Sequence, residues 1–250
     1  MIGRIGKEKE NQFRLKRIQV YQMYETEEQR MKREVKERQE TEEKERKYQE
    51  EIQQLKEKSE IIKEEYSNEI QQIEKWSKMK YQSVIFDSDI CQWNINNSTF
   101  DKHIWNKENV GILIETSFGV KYGGFVYSKI DKYQTEDENG KTHGVIDPKS
   151  FVFSFKDNKP MKYEKKEEKK NESSFFLYQE DDPRLFSFGN YDALIGKEEY
   201  KAYCYQDADY CHYDYRGNEK ALTGIIKREN KIEIKRIIVF QFHFQNFQSI

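Results

Sequence analysis

The densest group of side chains able to do chemistry lies late in the chain: Cys204, Asp207, Asp209, Cys211, His212 and Asp214. Thiols, carboxylates and an imidazole are the donor set of a zinc centre, and a thiolate beside a histidine is the start of a nucleophile. The spacing argues against both. Structural zinc sites use two paired ligand hairpins, and the Cys204 to His212 segment offers one irregular run. Only His212, beside Cys211, stands next to a cysteine in sequence to lower a thiol pKa. The expectation is a polar loop between strands that holds one or two buried thiols.

The other chemical signals are weaker. Asp87 and Asp89 begin like a calcium loop, but Gln92 stands where that loop needs glycine and Ser98 where it needs a bidentate glutamate. No glycine-rich phosphate loop, no Gly-x-Ser-x-Gly elbow and no His-Glu-x-x-His motif occurs. His103 and His243 read as ordinary half-buried histidines. On these grounds the sequence assigns no catalytic, cofactor-binding or metal-binding residue and implies no cofactor.

The elements that carry these residues fall into two kinds. Residues 1–80 hold 20 Lys/Arg and 19 Glu with no Pro, His or Cys, whereas residues 81–250 hold 30 of the 36 aromatic residues. A charged helical region, 1–80, and an aromatic globular domain, 82–250, are therefore expected to be separate objects, with 82–250 able to fold alone. The totals of 44 basic and 46 acidic residues give a net charge of -2, which argues against a nucleic-acid partner bound through bulk positive charge. No run of eighteen apolar residues occurs, so no membrane-spanning helix is expected. Met1 is followed by no apolar signal core, and the three cysteines are then expected to be reduced thiols in a cytoplasmic protein.

No Gly interrupts residues 7–110, and Glu, Lys, Gln and Arg dominate the first part of that stretch. These are strong helix formers. Tyr48, Ile52, Leu55, Ile62, Tyr66, Ile73 and Trp76 recur at intervals of three and four or their sums, with Ser59 and Glu69 filling the remaining seam positions. That spacing predicts a two-stranded coiled coil and a homodimer. Two other readings stay open: a solvated single helix held by Glu–Lys/Arg pairs, and a seam that packs back on the C-terminal domain. Residues 36–47 contain no apolar side chain.

Beyond residue 82 the pattern changes to short apolar runs bounded by turn residues. Strands are expected at 83–86, 110–115, 120–128, 151–155, 161–163, 174–178, 185–188, 200–205 and 232–244, with a short helix over 99–107. Gly123 and Gly124, side by side in a strand, predict a bulge or a close backbone approach. Residues 133–144 read as a polar loop and the charge run 164–171 as a solvated one. The fold class expected is a long N-terminal α-helix followed by an α+β domain, an antiparallel β-sandwich with short flanking helices.

The ordered set of segments carries a resemblance. A helix after an acidic turn is followed by Val110 to Thr116, then by Lys121 to Val126 with Tyr122, Gly123, Gly124 and Phe125, then by Asp147 to Phe155 with Phe151, Phe153, Ser154 and Phe155. Leu185 to Gly189 and a terminal Ile234 to Phe240 complete it. This resembles the TLDc domain, shared by oxidation-resistance proteins and TBC–TLDc proteins, over roughly residues 83–244. Where that family shows a glycine-rich stretch, this chain has only Gly189 to Ile195, and the charged insert 164–171 is its own. The resemblance implies an interaction module with protein partners, among them the vacuolar proton-pumping ATPase, and a role in oxidative-stress protection without agreed catalytic residues. Two alternatives are a thiol- or metal-dependent enzyme centred on the Cys204–His212 loop and a purely structural coiled-coil protein.

Overall fold

The computed structural model describes residues 26–138, 142–198, 202–204, 211–218, 220–224 and 232–244. The chain divides into two compact units, Met1–Lys44 and Glu45–Ile250. Helix α1, Glu27–Glu65, begins in the first unit with a reciprocal cap: the Gln29 amide donates to Thr26 Oγ1 and the Thr26 amide to Gln29 Oε1. Along residues 27–44 it is held by pairs four apart such as Lys32–Glu28 and Arg30–Glu34, and Met31 and Val35 lie exposed.

In the second unit the remainder of α1 leads through Tyr66 into α2, Ser67–Ser77. The sequence alone predicted unbroken helix to residue 80. Instead Lys78 takes a left-handed conformation (φ 62), its amide returns to the Glu74 carbonyl, and strand β1, Met79–Asp87, starts at once. Glu74 fixes this turn, because its carboxylate accepts from the Tyr81 amide and the Lys80 ammonium.

The remaining elements are α3 (Phe100–Ile104), β2 (Val110–Thr116), β3 (Lys121–Val126), β4 (Thr135–Glu136), β5 (Thr142–His143), β6 (Val145–Ile146), β7 (Phe151–Ser154), β8 (Met161–Glu164), β9 (Ser173–Leu177), β10 (Arg184–Phe188), β11 (Ala193–Gly196), β12 (Tyr203–Cys204) and β13 (Ile234–Phe244). They form an antiparallel six-stranded sheet, β1-β13-β2-β3-β7-β8, an antiparallel five-stranded sheet, β12-β11-β10-β9-β6, and the β4-β5 hairpin. The hairpin lies where the sequence suggested only a loop. The expected 200–205 strand is described only at β12.

The central strands of the larger sheet are buried almost throughout: β2, β3 and β7 contain no exposed residue. Successive side chains of a strand point to opposite faces, so this sheet is covered on both sides. On one side lie the helices, with Ile73 against Gly111, Trp76 against Phe151, Phe153 and Phe155, and Tyr66 against Phe240. On the other side the Phe188 ring of β10 fills the space beside Gly124. Phe100 of α3 stacks on Phe186 of β10, with ring centroids 5.0 Å apart, and side chains of both sheets merge into one core.

Leu55, Ile62, Tyr66 and Ile73 are thus buried inside a single chain, while Tyr48, Ile52 and Trp76 are half-buried. Burial of these residues within one chain matches the third reading left open by the sequence, a seam that packs back on the C-terminal domain. The seam and the apolar sheet face each need a cover, and each supplies the other's.

Candidate functional site

Three buried polar clusters and one fixed pair of strands hold the candidate functional residues. The family-like segments come together in the pair. Strands β3 and β7 are direct neighbours, with Tyr122 opposite Ser154, Gly123 opposite Phe153, Gly124 opposite Val152 and Phe125 opposite Phe151. The two glycines answer two close approaches in a regular ladder, with no bulge. A Cβ on Gly123 would lie 1.8 Å from the Ile112 carbonyl oxygen, and one on Gly124 2.5 Å from the Phe188 ring. Ser154 donates its hydroxyl to the Leu222 carbonyl, and Phe155 follows the strand against Trp76.

The first cluster joins α1, the loop after β1, and α3. Glu51 is 5 % exposed, on the helix face that also carries Tyr48 and Leu55. Its Oε1 accepts from the Gln92 amide (2.8 Å), and its Oε2 from the Thr99 hydroxyl (2.6 Å) and faces His103 Nε2 (3.0 Å). Cys91 lies beside this pair, so that one donor atom each from Glu51, Cys91 and His103 sits within 4.8 Å of the others. The Tyr48 ring meets His103 edge-on at 4.8 Å, and Phe86 packs on its other neighbours. Burial pushes the Cys91 thiol well above the ordinary cysteine range, so without an ion it is a protonated thiol and a poor nucleophile.

The second cluster surrounds Asp147, Lys165 and Asp192. Lys165 belongs to the charge run expected to be solvated, yet it is 6 % exposed. Its ammonium donates to the Glu172 carbonyl (2.6 Å), the Ser174 hydroxyl (2.6 Å) and the Lys170 carbonyl (3.4 Å). Desolvation pulls its pKa down to about 8, with Asp147, Glu172 and Asp192 opposing the fall. A lysine beside a serine hydroxyl has the donor types of an acyl-transfer pair. Here Ser174 is fully buried, donates to the Asp147 carbonyl and accepts from the Asp147 amide, so its hydroxyl is consumed in holding two loops together.

His212 stands nearby. Its Nδ1 accepts from the Asn190 amide at 3.0 Å, which leaves the proton on Nε2, 3.0 Å from Glu172. The Asp192 carboxylate accepts from the His212 and Tyr213 amides and the Tyr215 hydroxyl. Gly189 must remain side-chain-free, with φ 57 and the Asp192 carboxylate 2.4 Å from where its Cβ would stand. A cleft of about 230 Å³ opens here between His143, Phe176, Asn190 and His212.

The expected ligand run is only partly placed. Asp207 and Asp209 lie outside the described residues, as does the side chain of Cys204. Cys211 is a buried thiol, Asp214 is exposed, and His212 is tied to Glu172 and Asn190. His243 is exposed near the end of β13, unlike the half-buried site expected, and His103 is more deeply buried than expected.

The third cluster ties the end of α1 to the sheet. Arg236 of β13 makes a bidentate pair with fully buried Asp87 (3.0 and 2.7 Å), and its remaining nitrogen reaches Glu65 (3.1 Å) and the Tyr66 hydroxyl (3.3 Å). Hydrogen bonding and attraction from Asp87 hold the guanidinium charged despite burial. Glu51 and Lys165 gave no sequence signal among their many charged neighbours, and Asp192 and Arg236 lie in segments noted for their glycine or their apolar residues rather than for these charges. No helix among the described residues is long and apolar enough to cross a membrane. Neither a scan against protein-family models nor a search of curated proteins finds a match to this chain.

Proposed function

We propose that this chain is a cytoplasmic, non-catalytic protein-interaction module of the TLDc type, built as a β-sandwich. In this reading it is an adaptor in the oxidative-stress response or in regulation of the vacuolar proton-pumping ATPase. The observation that supports it best is the adjacency of β3 and β7. The two most family-like segments, Tyr122 to Val126 and Ser150 to Phe155, are paired in register at the centre of the larger sheet, with Gly124 seated on Phe188 of the other sheet. A module that buries its motif residues this way keeps them for folding and leaves partner choice to the surface.

The enzyme alternative, centred on Cys204 to His212, has its histidine committed to Glu172 and Asn190. The alternative of a purely structural coiled-coil protein has less support, because seam residues such as Tyr66 and Trp76 pack on the sheet. The test is affinity purification of the tagged full chain from its source cell, beside an unrelated tagged protein of similar charge. A reproducible, near-stoichiometric protein partner is the expected result. Loss of every partner from a chain shown to be folded would overturn the adaptor reading.

A further inference from the structure

The cluster of Glu51, Cys91 and His103 has a composition that an ordinary hydrogen-bond network does not need. A buried carboxylate can be satisfied by amide and hydroxyl donors, and Glu51 has Gln92 and Thr99 for that purpose. A thiol and an imidazole converge on it as well, from a different loop and a different helix, and all three residues are at most 5 % exposed. We propose that Glu51, Cys91 and His103 form a binding site for a divalent ion of the zinc class, which staples α1 to the loop after β1 and to α3.

Charge and softness select the ion. A carboxylate and a thiolate carry two negative charges and the imidazole none, so a divalent cation leaves the buried centre neutral. Thiolate with imidazole favours zinc over magnesium or calcium, which take oxygen donors. Zinc bond lengths of about 2.0 to 2.3 Å place donor atoms roughly 3.3 to 3.8 Å apart in a tetrahedron. The Glu51–His103 approach is 3.0 Å and no pair in the set exceeds 4.8 Å, so the donors lie within about 1.5 Å of that spacing.

On binding, the Cys91 thiol gives its proton to solvent and the sulfur joins the ion. His103 binds through Nε2 with its ring proton on Nδ1, and water takes the fourth position. The Gln92 amide and Thr99 hydroxyl remain on the carboxylate as orienting donors. The sequence hid the site because Glu51 is 40 residues before Cys91 on a charged helix, and Cys91 is 12 residues before His103 with no paired hairpin between them. The site is separate from the Cys204–His212 segment and does not depend on the adaptor reading.

The test uses the reduced, chelator-treated full chain titrated with Co²⁺ alone and then with Zn²⁺. The expected result is one equivalent of Co²⁺ giving a near-ultraviolet thiolate-to-cobalt band and tetrahedral visible bands, both erased by one equivalent of Zn²⁺. The thiolate band should persist in the Cys204→Ala/Cys211→Ala double variant, where Cys91 is the remaining thiol, and vanish in Cys91→Ala. Thr99→Val should keep the band and weaken binding about 10- to 100-fold. Circular dichroism checks each fold, and either folded cysteine variant is enough to assign the band. A wild-type chain without a thiolate band overturns the proposal, and so does a band that survives in folded Cys91→Ala or disappears from the folded double variant.

Discussion

Replacing Gly124 by alanine tests whether the two sheets share a core at the point where β3 meets β10. The new Cβ would stand 2.5, 2.6 and 2.8 Å from three carbons of the Phe188 ring, all well inside normal contact. The ring has little room to retreat, because Phe188 is fully buried with Phe175 at 5.4 Å and Phe186 at 5.8 Å between centroids. Overpacking of this kind costs about 1–3 kcal/mol. The smaller entropy of unfolded alanine relative to glycine returns about 0.4–1 kcal/mol, so a net loss of about 1.3 kcal/mol is expected. At roughly 2–4 °C per kcal/mol for a chain of this size, the melting temperature should fall by about 3–5 °C. Urea unfolding followed by circular dichroism measures the loss. Phe188→Leu should rescue part of it, giving a coupling of about 1 kcal/mol or more in the double-mutant cycle. A Gly124→Ala protein within about 0.5 kcal/mol of wild type, or strict additivity in the cycle, would refute the packing of these two sheets on one another.

Arg236→Met strands the fully buried Asp87 carboxylate and should cost about 3–5 kcal/mol by chemical denaturation, well beyond a surface pair. For Lys165 the folded pKa of about 8 lies below the ordinary 10.5, so between those values the unfolded chain holds a proton the folded chain has shed. Wild type should therefore gain stability relative to Lys165→Met as pH rises from 8 to 10.5, by up to about 3 kcal/mol, and a difference that is flat with pH would count against that burial. Replacing Leu55 and Ile62 together by Asp should unfold the domain, measured as loss of near-ultraviolet circular dichroism, because both side chains are buried in the core. A double variant that stays folded and merely changes from dimer to monomer would restore the coiled-coil reading.

Much of the sheet was legible because strands covered on both faces lose their alternation. The runs at 110–114 and 151–153 read as continuously apolar, and the reason is now visible: helices lie over one face, and Phe188 of the smaller sheet sits against Gly124 on the other. The same fact held the information about the helix. A sheet so apolar on both faces needs a second cover, and the 48–76 seam is an apolar stripe close in sequence to β1. Spacing of three and four describes a helix that buries one face; it does not say whether that face meets another helix or a sheet. Strand β11 passed unnoticed because Ala193 to Gly196 is short and follows turn residues. The polar clusters were illegible for a different reason. Glu51 and Lys165 lie among many similar charges, and burial is decided by partners 40 or more residues away for Glu51 and by the connection from β8 to β9 for Lys165.

Buried side chains from residues 55–79 belong to the same core as the sheets, against the expectation that 82–250 folds alone. Thermal unfolding of two fragments, 45–250 and 82–250, tests this most directly. The first should melt cooperatively. The second lacks Leu55, Ile62, Tyr66, Ile70, Ile73 and Met79, all buried, together with the start of β1 that pairs Phe242 to Phe244, and should show no cooperative transition. A fragment 82–250 that melts as sharply as 45–250, at a temperature within a few degrees of it, would show that the helices are an accessory to a self-sufficient domain.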